Sequence, residues 1–488
     1  MRPGLLLLVV ACHDVPLRAA ASEPALPDVR APVPVVAPVP VVAPALVDGE
    51  LTPPTSQLPS HHIKLDGAGG SEVVGIGFAD DGALHVAGNF RGRLRAGGAI
   101  TRPVAGPPGY QHLFVARIGR DGKVTRLARI GRDDPAELTA MAVAPDGTVA
   151  CVGHYQHVVG RYDGPATAYL YRGFVIVLGP DGTPRWTDEL GTADRSMPWS
   201  VAFDTSGAVV VAGAFAGDVT IGGATVHSTP GRFVPSVDAF VARYRPDGTL
   251  AWLATGGGPE DDAATRLAIS PAGDVAVAGY IGPAARFGPV QLVGATPRAH
   301  LASATRGFVA TYTPSGALHS AAQFGSHDSL LRLALIARSA GGFLVHADDD
   351  ELDVTTTVRH PIVVAIDRDG RVLATRDAAE LTVGGLAGDA LLAATASNDA
   401  LVIHQVGPAR DRPLLRVPRL ARPTLRPTAV AQARDGRIAL AGQLGDQRDL
   451  PRGGGVFEVS DDDVDAFVTV ASAVGELAGV RELGPGRR

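Results

Sequence analysis

The chain has 488 residues, of which 45% are hydrophobic and 19% charged, with a formal net charge of −6. A nucleic-acid partner usually calls for a basic surplus, so this balance argues against one. Sixty glycines and thirty-eight prolines imply many turns and few long helices. Short apolar bursts between these residues predict an all-β fold.

The first twelve residues have the pattern of a lipoprotein-type signal peptide. Arg2 precedes the apolar run Leu5–Ala11, which is too short to span a bilayer. The ending Leu8–Cys12 resembles the bacterial lipobox, in which the cysteine is acylated and becomes the new N-terminus. Cys12 is therefore the candidate lipid-attachment residue, although an ordinary signal peptide or a chance leucine-rich start would look similar. His13 follows in place of an aspartate, which favours the outer membrane in a cell that has one.

Residues 13–60 are predicted to be a proline-rich linker. The hexamer Ala-Pro-Val-Pro-Val-Val occurs twice in succession from Ala31. Proline at this density blocks helix and sheet and favours polyproline II, with a reach of roughly 3.1 Å per residue. The segment is either a spacer that holds a folded domain off a membrane or a disordered tail without a mechanical role.

A phrase that recurs along the chain predicts the architecture. A Phe or Ile opens an apolar stretch, and a turn pair ending in Gly begins seven residues later. The copies are Phe114 with Asp121-Gly122, Phe174 with Asp181-Gly182, Phe240 with Asp247-Gly248, Phe308 with Ser315-Gly316, and Ile362 with Asp369-Gly370. Equal internal spacing in five copies indicates a repeat architecture.

A second phrase lies upstream of the first in most units. Two glycines six residues apart enclose a short apolar run, as Gly147 and Gly153 enclose Val149–Val152. The pairs are Gly82/Gly88, Gly147/Gly153, Gly207/Gly213, Gly273/Gly279 and Gly436/Gly442. Joints such as Pro145-Asp146-Gly147 are tight-turn sequences, since Asp bonds its own backbone and Gly takes a positive φ. We therefore interpret the repeated aspartates as turn residues and not as catalytic groups.

Each unit is predicted to contain four antiparallel strands, a to d, with tight a–b and c–d turns and a long b–c loop. Such a unit is a blade of a β-propeller. Because Ile362 and Phe467 lie 105 residues apart, about two units, residues 61–488 are predicted to form about seven blades with a degenerate sixth. His61–Asp66, Glu476–Leu483 or both could close the ring, which would remove exposed sheet edges.

The b–c loops also carry a family resemblance. Three of them contain Gly92–Gly98, Gly217–Gly223 and Arg286–Gly288, and Asp238 and Asp465 each stand two residues before the phenylalanine of strand c. Over roughly Gly70–Gly484 the chain resembles the bacterial extracytoplasmic repeats named for seven-bladed β-propellers (SBBP-type), which are common in lipoproteins. The resemblance implies a propeller at the cell envelope and is nearly silent on activity.

The long b–c loops are the predicted binding face, because binding usually lies on long loops held by a rigid scaffold. By propeller geometry they share one face with the d–a links, around the mouth of the central channel. The loops are Asn89–Leu113, His154–Gly173, Ala214–Ala239, Tyr280–Gly307 and Gln443–Ala466.

Motifs for chemistry are scarce, and we assign no catalytic, cofactor-binding or metal residue and expect no cofactor. The chain contains no Gly-x-Ser-x-Gly, His-Glu-x-x-His, Cys-x-x-Cys or P-loop. The weak metal candidates are His61-His62, His154 with His157, Asp348–Glu351 and Asp461–Asp465. We interpret them as solvated loops, since zinc needs three or four ligands and calcium six to eight.

Five other residues have structural interpretations. Asp238 and Asp465 share a repeat position and are predicted to bond a loop to a strand. Trp186 and Trp252, each four residues after a turn glycine, are predicted to pack between units. Cys151 lies in an apolar run and is predicted to be a small buried hydrophobe.

Three functions stay open. The leading hypothesis is a monomeric, lipid-anchored, non-enzymatic scaffold, periplasmic or surface-exposed, that binds a protein or glycan. The rival is an envelope hydrolase or lyase, which would need charged side chains meeting within about 4 Å at the channel mouth. The third is a purely structural envelope module, which a channel filled with side chains would favour. The innermost strands are expected to carry mostly Ala, Val, Ile and Leu.

Overall fold

The computed structural model describes most of the chain after residue 60. The described ranges are 61–67, 70–96, 99–101, 110–159, 168–191, 195–231, 236–294, 305–325, 329–338, 341–352, 357–358, 360–378, 383–387, 390–396, 400–406, 411–418, 425–444, 466–471 and 475–476. The predicted signal peptide (1–12) and linker (13–60) lie outside these ranges. All described residues belong to one unit, Gly49–Arg488.

Every regular element of the described residues is a β-strand, as the all-β prediction requires. The first eighteen strands are β1 (His61–Gly67), β2 (Ser71–Phe78), β3 (Leu84–Arg91), β4 (Leu94–Ala96), β5 (Ala99–Ile100), β6 (Gln111–Ile118), β7 (Val124–Ile130), β8 (Ala136–Val143), β9 (Val149–Val159), β10 (Ala168–Leu178), β11 (Pro184–Leu190), β12 (Arg195–Phe203), β13 (Val209–Ala216), β14 (Asp218–Ile221), β15 (Ala224–His227), β16 (Val237–Tyr244), β17 (Leu250–Gly257) and β18 (Ala263–Ile269). The others are β19 (Val275–Ile281), β20 (Ala285–Phe287), β21 (Val290–Leu292), β22 (Arg306–Tyr312), β23 (Leu318–Phe324), β24 (Ser329–Ala337), β25 (Phe343–Leu352), β26 (Thr357–Val358), β27 (Pro361–Ile366), β28 (Val372–Asp377), β29 (Val383–Ala387), β30 (Ala390–Ala396), β31 (Ala400–Val406), β32 (Asp411–Pro418), β33 (Leu425–Gln432), β34 (Ile438–Leu444), β35 (Ala466–Ala471) and β36 (Gly475–Glu476).

Five four-stranded antiparallel meanders follow one another along the chain, and we call them the first to fifth blades. They are β2-β3-β6-β7, β8-β9-β10-β11, β12-β13-β16-β17, β18-β19-β22-β23 and β24-β25-β27-β28. The later strands form one eleven-stranded sheet, in which β29-β30-β31-β32 and β33-β34-β35-β1 are further four-stranded runs. Because these two runs share a sheet, the number of seven blades stays a prediction.

The innermost strands form a closed circuit. β2 contacts β8, β8 contacts β12, β12 contacts β18, and β18 contacts β24. β24 contacts β29 and β30, β29 contacts β33, and β33 returns to β2. An annular series of antiparallel sheets is a β-propeller, and a linear stack would have left the first and last inner strands apart.

The N-terminal strand closes the ring. β1 pairs antiparallel with β35, with Lys64 opposite Phe467. The same run docks on the first blade, where the Thr428 hydroxyl donates to the Val73 carbonyl at 2.6 Å and the Arg437 guanidinium donates to the Gly82 carbonyl at 2.9 Å. The alternative closing strand was the C-terminal segment Glu476–Leu483. Its first residue belongs to β36, which pairs parallel with β32, and Leu477–Leu483 lies outside the described residues.

The two repeated phrases meet as cross-strand partners. The pairs are Gly88–Phe114, Gly153–Phe174, Gly213–Phe240, Gly279–Phe308 and Gly442–Phe467. A Cβ on Gly153 would lie 2.1 Å from the Glu137 carbonyl oxygen and 2.7 Å from the Phe174 ring. Beside this contact the inner strand shifts register between Leu138 and Ala140, which is a β-bulge. The fifth blade has the pair Ala347–Ile362 and a longer register shift.

Candidate functional site at the channel mouth

Three of the long b–c loops build hairpins that run outward, and not toward the channel. β4 pairs with β1, and β20 pairs with β17 where Phe287 lies opposite Gly256. The β14–β15 hairpin bonds β11 through the Gly191 amide and the Thr220 carbonyl at 2.8 Å. Each hairpin thus covers the outer edge of the preceding blade. The described strands of these three loops are therefore paired at blade edges, and the b–c loops as the ligand face stay a prediction.

The interpretation of two metal candidates as solvated loops is also wrong. His154 lies in β9, which extends the predicted loop into a hairpin with β10, and it is buried. Asp348 and Asp349 lie in β25 and are also buried, because this strand pairs with β24 and β27. The other candidates are outside the side chains that the structure describes: His61, His62, His157, Asp350, Glu351 and Asp461–Asp465. Among described residues, no group of three or more His, Cys, Asp or Glu side chains could hold a metal ion.

The innermost strands line an open channel. The second strand of the third blade, β13, is buried along its whole length. In contrast, residues 74–78 of β2 and 139–143 of β8 are all half-buried. Inside a closed ring the only solvent that an innermost strand can reach is in the central channel.

A polar cluster lies at the mouth of this channel, between the first two blades. Asn89 is buried, and both the oxygen and the nitrogen of its side-chain amide are hydrogen-bonded to the second blade. The Leu138 amide donates to Asn89 Oδ1 at 2.8 Å, and Asn89 Nδ2 donates to the Leu138 carbonyl at 3.5 Å. The half-buried Glu72 is the register partner of Asn89 in β2. Asn89 therefore ties the strand pair that carries Glu72 to the next blade.

The second half of the cluster is a carboxyl–imidazole pair. Glu137 Oε2 lies 3.6 Å from His154 Nε2, across the β8–β9 ladder. The Glu137 side chain is 46% exposed, and that of His154 only 5%. The His154 ring packs edge-to-face on Tyr171, with 4.8 Å between the ring centroids. The pair therefore presents the carboxyl group to solvent over a buried imidazole.

Burial shifts the pKa values in this cluster in the direction of the uncharged forms. Burial raises the pKa of Glu72, against a smaller lowering by Asn89. Burial also raises the pKa of Glu137, and the neighbouring Glu72 charge adds to this. Burial lowers the pKa of His154 to about 4, so the imidazole is neutral at pH 7. Two carboxyl groups with raised pKa values and a neutral imidazole can accept and donate hydrogen bonds and can exchange protons.

This cluster is not visible when the units are compared along the chain, because its residues come together only across the strand register. Glu72 and Glu137 occupy one repeat position, just before the residue paired with the second glycine. The third and fourth blades have Met197 and Ala263 there. A glutamate at this register position in each of the first two units was the available signal.

Other buried carboxylates tie loops to strands. Asp238 Oδ2 accepts hydrogen bonds from the Thr229 amide at 2.8 Å and the Thr229 hydroxyl at 2.9 Å, the loop-to-strand role predicted for it. Asp262 accepts from the amides of Gly258 at 2.6 Å and Gly282 at 2.8 Å. Burial raises the pKa of Asp262 to about 7, in spite of these two donors. These groups stabilise the d–a links and are not presented to a ligand.

The opposite face carries a narrow cleft between the first two blades. Its lining includes His85, Arg117, Arg126 and Gly182. Burial lowers the pKa of His85 to about 4, and the Arg117 charge contributes. Arg126 is engaged with the Gly182 carbonyl at 3.0 Å and Arg117 with Asp81, so the cleft offers no free charged group.

Other predicted residues have the structural roles expected. Trp186 Nε1 donates to the Pro246 carbonyl and Trp252 Nε1 to the Pro314 carbonyl, both at 3.1 Å, so each indole docks on the next blade. Cys151 is wholly buried, and burial raises the pKa of its thiol to about 12. No helix in the described ranges is both long and apolar enough to cross a membrane.

No protein-family model matches the chain, and a search of curated proteins found no match. Among solved structures, the polysaccharide lyase Uly1 is 9% identical, with a TM-score of 0.46 over 83% of this chain and 90% of that one. A catalytically inactive variant of virginiamycin B lyase from Staphylococcus aureus is 9% identical (TM-score 0.41, 83% and 99% covered). The β-propeller domain of the Trilobed protease from Pyrococcus furiosus is 5% identical (TM-score 0.42, 78% and 91% covered). The fold assignment rests on the strand topology of this chain.

Proposed function

We propose that this chain is an extracytoplasmic binding scaffold that takes a hydroxyl-rich ligand, a glycan, at the mouth between the first two blades. The observation that carries the proposal is the pair Glu72 and Glu137, held beside a channel by Asn89 and His154. Carboxyl and amide groups are the acceptors and donors that sugar hydroxyls need. Because rigid strands position them, little conformational entropy is lost on binding.

The open channel supports binding over a purely structural role. A spacer module would have its channel filled with side chains, whereas β2 and β8 are half-buried over five consecutive residues each. A buried polar group also reduces the stability of the fold unless it is hydrogen-bonded. Asn89 is hydrogen-bonded to the second blade, whereas the partly exposed carboxyl of Glu137 is available to a ligand.

The test is retention of the full chain on immobilised cell-envelope polysaccharide. The double variant Glu72→Gln/Glu137→Gln should bind about tenfold or more weakly, because it removes two acceptors of charge-assisted hydrogen bonds. Glu260→Gln, an exposed change on a d–a link, should bind as the wild type does. A wild type that retains no glycan would refute the proposal. Binding that survives periodate treatment of this polysaccharide preparation but is lost after protease treatment would also refute it, because the ligand would then be a protein.

An envelope hydrolase or lyase is a second candidate. It is favoured by the 3.6 Å distance between Glu137 and His154 and by the raised pKa values of Glu72 and Glu137. A general acid works best when its pKa lies near the ambient pH. If the chain is an enzyme, the wild type should release new sugar ends from the bound polymer. Glu137→Gln should then retain the polymer without releasing them. Release at the wild-type rate by Glu137→Gln would exclude this mechanism.

We also propose that Cys12 carries a lipid anchor, with the outer membrane as the favoured site. The support is the lipobox-like run Leu8–Cys12 and the proline-rich segment after it. In cells, Cys12→Ser should move the protein from the detergent phase to the aqueous phase on partitioning. A Cys12→Ser variant that stays in the detergent phase would argue against acylation.

A further inference from the structure

One charged side chain projects from an innermost strand. Arg266 is the fourth residue of the seven-residue strand β18, with Ala263 and Ala264 before it and Leu267 and Ala268 after it. These four neighbours are buried, but Arg266 is exposed. At mid-strand on the inside of a closed ring, exposed surface faces the central channel.

The equivalent residues of other inner strands are small. Each is the first residue after the bulge of its strand: Gly75, Ala140, Ser200 and Ala429. Arg266 has the same place in β18, opposite Ala278. Among these five strands, only β18 carries a long, charged side chain at this place.

The Arg266 guanidinium lacks a carboxylate partner among the described residues. Within the described part of the chain, its hydrogen bond goes from Nη1 to the carbonyl of the adjacent Thr265, at 2.7 Å. That leaves most of its five N–H donors available. Desolvation lowers the pKa of Arg266, as expected for a cation surrounded by protein and still reached by water.

The counterpart in the next inner strand is also small. In β24 the first residue after the register shift is Ala334, opposite His346.

We propose that Arg266 forms an oxyanion-binding site inside the central channel. A guanidinium binds planar carboxylates and phosphates through two parallel N–H donors, and does so most strongly where water is partly excluded. The ligand class is a small anion, or a larger ligand that inserts a carboxylate or phosphate group into the channel. This site lies deeper than the Glu72–Glu137 mouth and on other blades, so it does not depend on what the mouth binds.

The test is calorimetric titration of the full chain with D-glucuronate, inorganic phosphate and, as the uncharged reference, glucose. We expect one or both anions to bind and glucose not to bind. Heat from glucuronate alone would assign the site to carboxylates, and heat from phosphate alone would assign it to phosphate groups. Arg266→Ala should weaken anion binding about tenfold or more, and Arg266→Lys less, since lysine keeps the charge without the paired donors.

The matched control is Arg286→Ala, which removes an exposed arginine of the outward β20–β21 hairpin and should leave the titration unchanged. A second measurement on the wild type does not depend on how the variant folds. Phenylglyoxal modification of Arg266, followed by peptide mass spectrometry, should slow severalfold in the presence of the anion. The proposal fails if neither anion binds the wild type, if Arg266→Ala binds as tightly, or if Arg266 is not protected.

Discussion

At the scale of single residues, close backbone approach to a glycine explains why a bulge, a glycine and a phenylalanine recur together in the first four blades and in the β33–β35 run. The inner-strand carbonyl beside the bulge approaches the glycine too closely for any Cβ, as Glu137 does to Gly153. The Phe174 ring covers the same position from the third strand. Such close backbone approach is a reason for glycine inside a strand, distinct from its use in turns.

Gly153→Ala should therefore reduce the free energy of unfolding by about 3 kcal/mol, at the top of the range for overpacking, because the opposing atom belongs to the backbone. Denaturant titration measures the change. Gly223→Ala is the control, since its Cβ would meet nothing within 4 Å and its φ of +84° costs only about 1–2 kcal/mol. An equal loss in both variants would contradict the close-approach account.

His85 predicts a pH dependence of stability. The folded state holds its pKa at about 4, below the ordinary value of 6.5, because the ring is buried. Between these values the unfolded chain takes up a proton and the folded chain does not, so the stability of the wild type falls as the pH falls from about 6.5 to about 4. His85→Gln should lose less stability across this window, as measured by thermal unfolding at several pH values. Parallel curves for the two proteins would contradict the shift.

At the scale of elements, neighbouring blades are joined by one side chain of each outer strand. The residue four places after a c–d turn glycine lies on the turn glycine of the next blade. The contacts are Arg126 on Gly182, Trp186 on Gly248, Trp252 on Gly316 and Ser320 on Gly370. Repetition of this contact ties the outer strands of successive blades together on the tight-turn face.

Trp186→Ala should lower the free energy of unfolding by about 2–3 kcal/mol, because the indole loses its packing on Gly248 and its bond to the Pro246 carbonyl. Chemical denaturation measures it. Ser320→Ala removes a small side chain from the same register position and should cost less than about 1 kcal/mol. A Trp186→Ala variant as stable as Ser320→Ala would mean that the contact does not hold the blades.

How far the sequence predicts an element depends on how local its cause is. The tight turns were predictable, because Asp247 bonds the Thr249 amide and Gly248 takes φ +87° within four residues of chain. The outward course of the β14–β15 hairpin was not, since alternation identifies a strand without saying which edge it joins. In the sequence, Arg266 lies within an apolar run, and only the closed ring of the structure shows that this run faces a channel.

At the scale of the whole molecule, closure depends on pairing between distant parts of the chain. Both terminal segments had strand-like sequences, so the sequence left two candidates for the closing strand. The register of β1 on β35 and the contacts of Thr428 with the first blade select the N-terminal one. A ring closed in this way leaves no open edge between its first and last strands, and it holds the mouth cluster and the channel in place.

The most direct test of the ring is a disulfide between register partners of its closing strands. In the Cys12→Ser background of the full chain, His62→Cys and Thr469→Cys place two thiols opposite each other on β1 and β35. We expect an intramolecular disulfide on mild oxidation, detected by non-reducing mass spectrometry, whereas the slipped pair His62→Cys and Val468→Cys should cross-link poorly. Free thiols, or cross-links only between molecules, would contradict a closed ring.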